Sequence, residues 1–302
     1  MQLKGLYTAL ITPFTDNNEI DIEGVKFLLQ RQLAAGVDGI VLLGTTGEDP
    51  TITPTERERL IRTAVEAVNI PLMVGCGTYS TKTTIQQAIQ AESLGATSLL
   101  VVVPYYNRPT QEGMYQHFKA LASEVSIPIC VYNIASRTGQ NMETATLERL
   151  AELPHILAVK EASGNIHQMS DVIERIAMKR PHFSVLSGDD AMTLPLLAMG
   201  GHGLISVISN LLPSVVKQLV TAAQSNMQEA RRLHYLLKPF VQACFIETNP
   251  IPIKRMMQLA GLPAGGVRLP LVAPQQANDA KLRELLNHSE LLKCNEILTL
   301  VR

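Results

Sequence analysis

Short runs of apolar and β-branched residues recur along this chain. Each is followed by a loop rich in Gly, Asn, Ser or Thr and then by an amphipathic stretch with helical spacing. Eight such runs occur, at residues 6–14, 39–43, 71–75, 98–103, 128–132, 157–160, 184–187 and 203–207. Runs apolar on both faces and separated by helices predict a parallel sheet covered on both sides. Eight consecutive units predict an α/β fold of the TIM (β/α)8 barrel type over residues 1–225, the catalytic domain, because an open doubly wound sheet has fewer strands. Thr53-Pro54-Thr55-Glu56 reads as a capping box with proline at the first helical position. Beyond the eighth run the alternation stops. Asn226-Met227-Gln228-Glu229 resembles a helix start, and Leu233, Leu236, Leu237, Phe240, Val241 and Cys244 fall on one helical face. Residues 226–302 therefore read as a C-terminal helical extension packed on the barrel. It is interrupted by a turn at Thr248-Asn249-Pro250-Ile251-Pro252 and a loop at Gly265-Gly266, and no role is assigned beyond about His288.

Composition narrows this picture only slightly. At 302 residues, 46% hydrophobic and 18% charged, the chain can bury one large core. A formal net charge of −1 with scattered basic residues points away from nucleic acid and membrane surfaces as partners. The first residues lack the pattern of a signal peptide and no apolar run reaches spanning length, so a cytoplasmic location is expected. Cys76, Cys130, Cys244 and Cys294 lie far apart without a Cys-x-x-Cys, as reduced cytosolic thiols do.

Chemistry on such a barrel sits at the C-terminal ends of the strands, so the residues closing each run are the candidates. Lys160 closes Leu157-Ala158-Val159-Lys160. A lysine attacks a carbonyl carbon only as the neutral amine, and an unperturbed one, titrating at about 10.4, is neutral in roughly one molecule per thousand at pH 7. Burial favours the neutral form, which makes Lys160 a candidate Schiff-base nucleophile. The plainer alternative is a strand-end lysine reaching to water. The second run closes in Gly44-Thr45-Thr46-Gly47-Glu48, where glycines admit a close ligand and the threonines can cradle a carboxylate, although an ordinary glycine-rich turn looks the same. Pro104-Tyr105-Tyr106-Asn107-Arg108-Pro109 and Tyr132-Asn133-Ile134-Ala135-Ser136-Arg137-Thr138-Gly139 bring tyrosines to the mouth. These either satisfy core hydrogen bonds or, beside a lysine and a threonine, relay the protons that carbinolamine formation requires. Arg137 is either a carboxylate clamp or one half of a surface ion pair. Gly188, in Ser187-Gly188-Asp189-Asp190, and Ile205, in the last run, read as pocket walls. The seven histidines show no paired spacing, so Glu161, Asp189 and Asp190 are not read as metal ligands.

Taken together these strand-end motifs, with Glu247-Thr248-Asn249-Pro250-Ile251-Pro252-Ile253-Lys254, resemble the pyruvate-dependent class I aldolase and N-acetylneuraminate lyase superfamily. Within it the chain is most similar to the dihydrodipicolinate synthase family, from Leu6 to about Pro270. The resemblance implies that Lys160 condenses with pyruvate, whose carboxylate Thr45 and Thr46 hold. It implies that Tyr132 donates and accepts protons, with Thr45 and Tyr106 completing the relay. Arg137 would bind the carboxylate of L-aspartate 4-semialdehyde, in a step of diaminopimelate and lysine biosynthesis. No metal or organic cofactor is implied. In this family the tyrosine matching Tyr106 comes from a neighbouring subunit, so a homo-oligomer, dimer or tetramer, is expected. N-acetylneuraminate lyases and 2-keto-3-deoxy sugar acid aldolases are the alternative, but they usually lack an arginine at the position of Arg137. Intact Lys160, Tyr132, Thr45 and Arg137 argue against a further alternative, an inactive member that only binds a metabolite. Two departures stand out. Ala135 occupies a position where proline is usual, and residues 49–57 and 79–83 mostly lack the His, Asn and Glu ligands of lysine-inhibited members, so weak or absent feedback inhibition is expected.

Overall fold

The structure is a computed structural model that describes residues 2–288. Eight strands, β1 (Gly5–Ala9), β2 (Gly39–Leu42), β3 (Leu72–Gly75), β4 (Ser98–Val102), β5 (Ile129–Asn133), β6 (Ile156–Glu161), β7 (Ser184–Ser187) and β8 (Gly203–Ser206), pair in sequence order, and β8 closes on β1. Every pairing is parallel. The alternation of a strand decides which side chains turn inward. Tyr7, Val41, Met73, Cys130, Leu186 and Ile205 fill the interior. Their neighbours Leu6, Ile40, Val74, Val131, Val185 and Leu204 face the surrounding helices. On β6, Ala158 points inward and Val159 outward, so Lys160 points inward again, at the strand's open end.

β1 is shorter than the apolar run 6–14 suggests. Past Ala9 the chain leaves the barrel: the Ile11 amide donates to Asn210 Oδ1 at 3.1 Å, Asn210 Nδ2 donates to the Ala9 carbonyl at 2.8 Å, and Phe14 makes an antiparallel bridge with Ile20. Pro13 has no amide to offer a ladder. The run is apolar because it is buried, with Leu10, Ile11 and Phe14 all in the core.

The helix Pro54–Ala67 starts on the expected capping box, with Thr53 accepting from the Glu56 amide and Glu56 accepting from the Thr53 amide. The helix Met227–Ala243 starts on Asn226. It buries Leu233, Leu237, Phe240, Val241 and Cys244 and half-buries Leu236, as its periodicity predicts. The next helix begins at Ile251, one residue before Pro252, where a turn was expected to persist. A proline in the first helical turn forfeits no helical hydrogen bond, so it does not delay the start. With the helix Gln276–Asn287 these elements share one hydrophobic core with the barrel, in which Phe240, Met256 and Leu282 pack in the same cluster as Leu6 and Leu204. The expectation for residues 289–302, Cys294 among them, lies outside the described residues. Among the described residues no helix is long and apolar enough to cross a membrane.

Candidate active site

The register of β5 on β6 sets Tyr132 opposite Lys160 and Asn133 opposite Glu161. Lys160 is only 6% exposed, and its Nζ stands 4.1 Å from the centroid of the Tyr132 ring. Gly188, just past β7, donates its amide to the Glu161 carbonyl at 2.8 Å. A Cβ there would lie 3.0 Å from Cγ and Cε of Lys160 and 2.8 Å from the Ala162 Cβ. The glycine thus clears the path of the lysine stem. Glu161 points to the other face, fully buried. It accepts from the Ser163 amide at 2.7 Å, Asn133 Nδ2 at 3.2 Å and Gln168 Nε2 at 3.4 Å, while burial pushes its carboxyl above the usual range. That network fastens β5 to β6 at the height of the lysine.

Thr45–Gly47 forms a single 3-10 turn after β2. Glu48, directly after it, has φ 57°, and Leu43, two residues before it, has φ 56°, both in the left-handed region. Such conformations cost a non-glycine residue of order 1–3 kcal/mol and persist only where the surroundings enforce them. Thr46 is buried and accepts at Oγ1 from Asn249 Nδ2 at 2.9 Å. Thr45 lines a cavity of about 250 Å³ with Asp49, Tyr105, Tyr132, Arg137 and Thr138. A second hollow of about 570 Å³ at the mouth is walled by Arg137, Ala162, Gly188, Phe245 and Asn249. Arg137 faces both, and its Nη2 donates to the Asn249 carbonyl at 3.2 Å. Where proline is usual, Ala135 opens a helical turn, Ala135–Thr138, ended by Gly139 at φ 71°.

One chain therefore brings a buried amine against a tyrosine ring, and that ring lines a cavity together with a threonine of the turn after β2 and an exposed guanidinium. That is equipment for imine chemistry on a small carboxylate-bearing carbonyl compound. Over residues 2–289 the chain matches the model of the Dihydrodipicolinate synthetase family. The chain belongs to this family. It is 54% identical over 95% of its length to the 4-hydroxy-tetrahydrodipicolinate synthase of Protochlamydia amoebophila, 97% of which is covered. The crystal structure of dihydrodipicolinate synthase from Thermotoga maritima superposes with a TM-score of 0.94 at 41% identity, covering 96% of this chain and all of that one (100%). A structure described as the first monomeric dihydrodipicolinate synthase variant gives a TM-score of 0.92 at 41% identity, over 94% of this chain and 96% of that one.

Of the sequence candidates, Thr45, Tyr132, Arg137 and Gly188 line the two hollows, while Lys160, Thr46, Tyr106 and Ile205 line neither. Tyr106 is 88% exposed, with φ 68°, and it is Tyr105 that lines the cavity, edge-on to Tyr79. Tyr105 lies three residues past the end of β4, in a loop where strand alternation no longer says which way a side chain points. Ile205 is buried in the barrel interior with Tyr132 and Leu186. Asp190 turns inward to accept from Ser206 Oγ at 2.5 Å and the Val207 amide at 2.9 Å, and burial pushes its carboxyl up to about 6. Among the described residues no three His, Cys, Asp or Glu side chains gather as metal ligands.

Several residues of this region carry no motif. Asp49 pairs with Arg57 at 2.6 Å, and Arg57 also donates to the Gly75 carbonyl. Burial lifts the Asp49 carboxyl to about 6, with Arg57 opposing. Asn249 and Lys254 reach the second strand's turn from more than two hundred residues away, a contact that no local pattern announces. Cys76 lines the smaller cavity and Cys130 lies in the interior beside Tyr132. Both are buried free thiols that desolvation pushes up to about 12.

Proposed function

We propose that this protein is a Schiff-base-forming lyase, a 4-hydroxy-tetrahydrodipicolinate synthase that condenses pyruvate with L-aspartate 4-semialdehyde in diaminopimelate and lysine biosynthesis. The observation that carries the reading is the buried Lys160 amine against the ring of Tyr132, which lines a cavity with Thr45 and Arg137, in a chain of this family. The Lys160 amine attacks the ketone carbon of pyruvate, and loss of water gives an imine whose carbon draws electrons from the neighbouring methyl group. Removal of a methyl proton yields the enamine, whose carbon bonds to the aldehyde carbon of the semialdehyde. The semialdehyde's own amine then adds to the imine carbon, closing the ring and releasing Lys160. Tyr132 moves the protons of these additions and eliminations, through Thr45 and the Tyr106 of a neighbouring subunit. Thr45 and Thr46 hold the pyruvate carboxylate, and Arg137 holds that of the second substrate. Gly188 shapes the wall of the larger hollow, and Ile205 packs in the barrel interior with Tyr132. The imine is the electron sink, so this mechanism calls on no metal or organic cofactor.

The exposure of Tyr106 supports a homo-oligomer, dimer or tetramer, in which a partner covers that ring. The small soluble substrates fit a cytoplasmic enzyme.

Borohydride reduction with pyruvate, followed by peptide mass spectrometry, tests the nucleophile. A reduced pyruvyl adduct on Lys160, together with pyruvate consumption that requires aspartate semialdehyde, is expected. No adduct on Lys160 removes the reading, and an adduct without that consumption assigns the chain to a sibling aldolase.

A further inference from the structure

Beneath the Thr45–Gly47 turn lies a second set of contacts, centred on Glu48 and Lys254, neither of which lines the two hollows. Glu48 ends the turn, its amide donating to the Thr45 carbonyl at 3.2 Å. Its carboxylate runs into the protein, where Oε1 accepts from Lys254 Nζ at 2.7 Å and Oε2 from the Arg268 amide at 2.9 Å. The two charged side chains are 1% and 2% exposed. Lys254 Nζ also donates to the Thr12 carbonyl at 2.9 Å and stands 4.2 Å from the centroid of the Phe14 ring. Thr12 in turn donates through Oγ1 to the Gly47 carbonyl at 2.7 Å. Lys254 therefore reaches the turn by two routes, directly at Glu48 and through Thr12 at Gly47. Asn249, on the segment leading into the Ile251–Leu259 helix, reaches it by a third, at Thr46.

We infer that Glu48 and Lys254 are a positioning pair, by which the Ile251–Leu259 helix sets the height and angle of the Thr45–Thr46 cradle against Lys160. The inference deepens the reading of that turn as the site of the pyruvate carboxylate and rests on it. Two costs meet at Glu48. A buried ion pair returns little net stability compared with apolar side chains of the same shape. A left-handed backbone at a residue with a Cβ is strained where glycine would not be. Stability alone accounts for neither. Alignment accounts for both, because a rigid charge-assisted contact fixes the turn from one side while the opposite side is left for the ligand.

The test uses the full-length, assembled enzyme and the double substitution Glu48→Gln/Lys254→Met, which removes both charges and leaves no buried charge unpaired. Thermal unfolding, borohydride trapping across a pyruvate series and steady-state turnover are measured side by side. A melting temperature close to the parent's is expected, with the pyruvate concentration for half-maximal trapping raised about tenfold and kcat lowered much less, the split for a binding group held out of place. Should the double variant fail to fold, Glu48→Asp, which leaves Lys254 its carboxylate, is read in the same assays. It keeps the charge, shortens its reach and is expected to show a smaller rise. An unchanged pyruvate dependence in folded variants would overturn the inference and leave the pair a purely structural contact. The parent enzyme separates this outcome from failure of the functional reading. If it forms no pyruvyl adduct on Lys160, the reading falls and the inference with it.

Discussion

At Gly188 the absence of a side chain decides where another side chain goes. The space its Cβ would take is already filled by the aliphatic stem of Lys160 and by Ala162, at 2.8–3.0 Å. Gly188→Ala is therefore expected to push the amine aside while leaving the strands intact. A displacement of about 1 Å at a reacting atom can cost roughly a hundredfold in rate. Steady-state kinetics should show a loss of that order with the melting point little changed, and an equal rate would mean that the lysine has slack. The sequence marked Lys160 as a candidate nucleophile, because it closes an apolar run within a repeating strand-helix pattern, but a strand-end lysine reaching to water reads the same way. Its surroundings were not legible there. Whether a strand-end lysine bends toward water or toward a tyrosine depends on the register of two strands and on a glycine in a third, none of it local in sequence.

Among the elements, those set by local chemistry were readable and those set by distant contacts were not. The capping box at Thr53, the cap at Asn226 and the apolar face from Leu233 to Cys244 follow from spacing alone. The first strand was overread because residues 10–14 are apolar for a different reason, burial beneath Asn210 and the C-terminal loop. Tyr105 carried no role in the sequence because it lies three residues beyond β4, where no strand alternation gives a side chain's direction, and Tyr106 was named on the resemblance alone. One clasp between elements carries a pH prediction. Arg268 pairs with Glu56 at 2.5 Å and also donates to the Asn18 and Thr51 carbonyls, tying the C-terminal loop to the start of the Pro54–Ala67 helix. The hydrogen bond from Arg268 holds the Glu56 carboxyl down at about 2, against 4.5 ordinarily. The folded state thus keeps this carboxylate ionised when the unfolded chain has already protonated it. The resulting stabilisation is complete above pH 4.5 and is lost as the pH falls toward 2. In urea unfolding over that window Glu56→Gln should lose less stability on acidification than the parent, and parallel curves would show that the clasp contributes nothing there.

On the scale of the molecule, the barrel and the helices after it cannot be separated without opening the core. Leu233, Phe240, Met256 and Leu282 pack in the cluster that also holds Leu6 and Leu204, and burying each such side chain contributes about 1.5–3 kcal/mol. A chain ending at residue 225 is expected to lack cooperative unfolding by calorimetry, and a sharp transition in that fragment would make the barrel an independent domain. Regulation follows a similar logic of occupied space. In residues 49–57, one of the segments where the resemblance implies regulatory ligands in lysine-inhibited members, Asp49 and Arg57 are spent on each other and on the Gly75 carbonyl. Millimolar L-lysine should leave the rate of the assembled enzyme nearly unchanged, and a halved rate would contradict this.

The buried thiols turn the fold into its own clock. Cys76, Cys130 and Cys244 are all enclosed, and desolvation holds each in the unreactive thiol form. A disulfide reagent can reach them only when the surrounding structure opens. In a Cys294→Ser background the order of labelling would rank the openings: Cys76 on loosening of the loops at the mouth, and Cys130 only when neighbouring strands part. Pyruvate, if it rests on the turn after β2, should slow the first of these and leave the last at the rate of global unfolding.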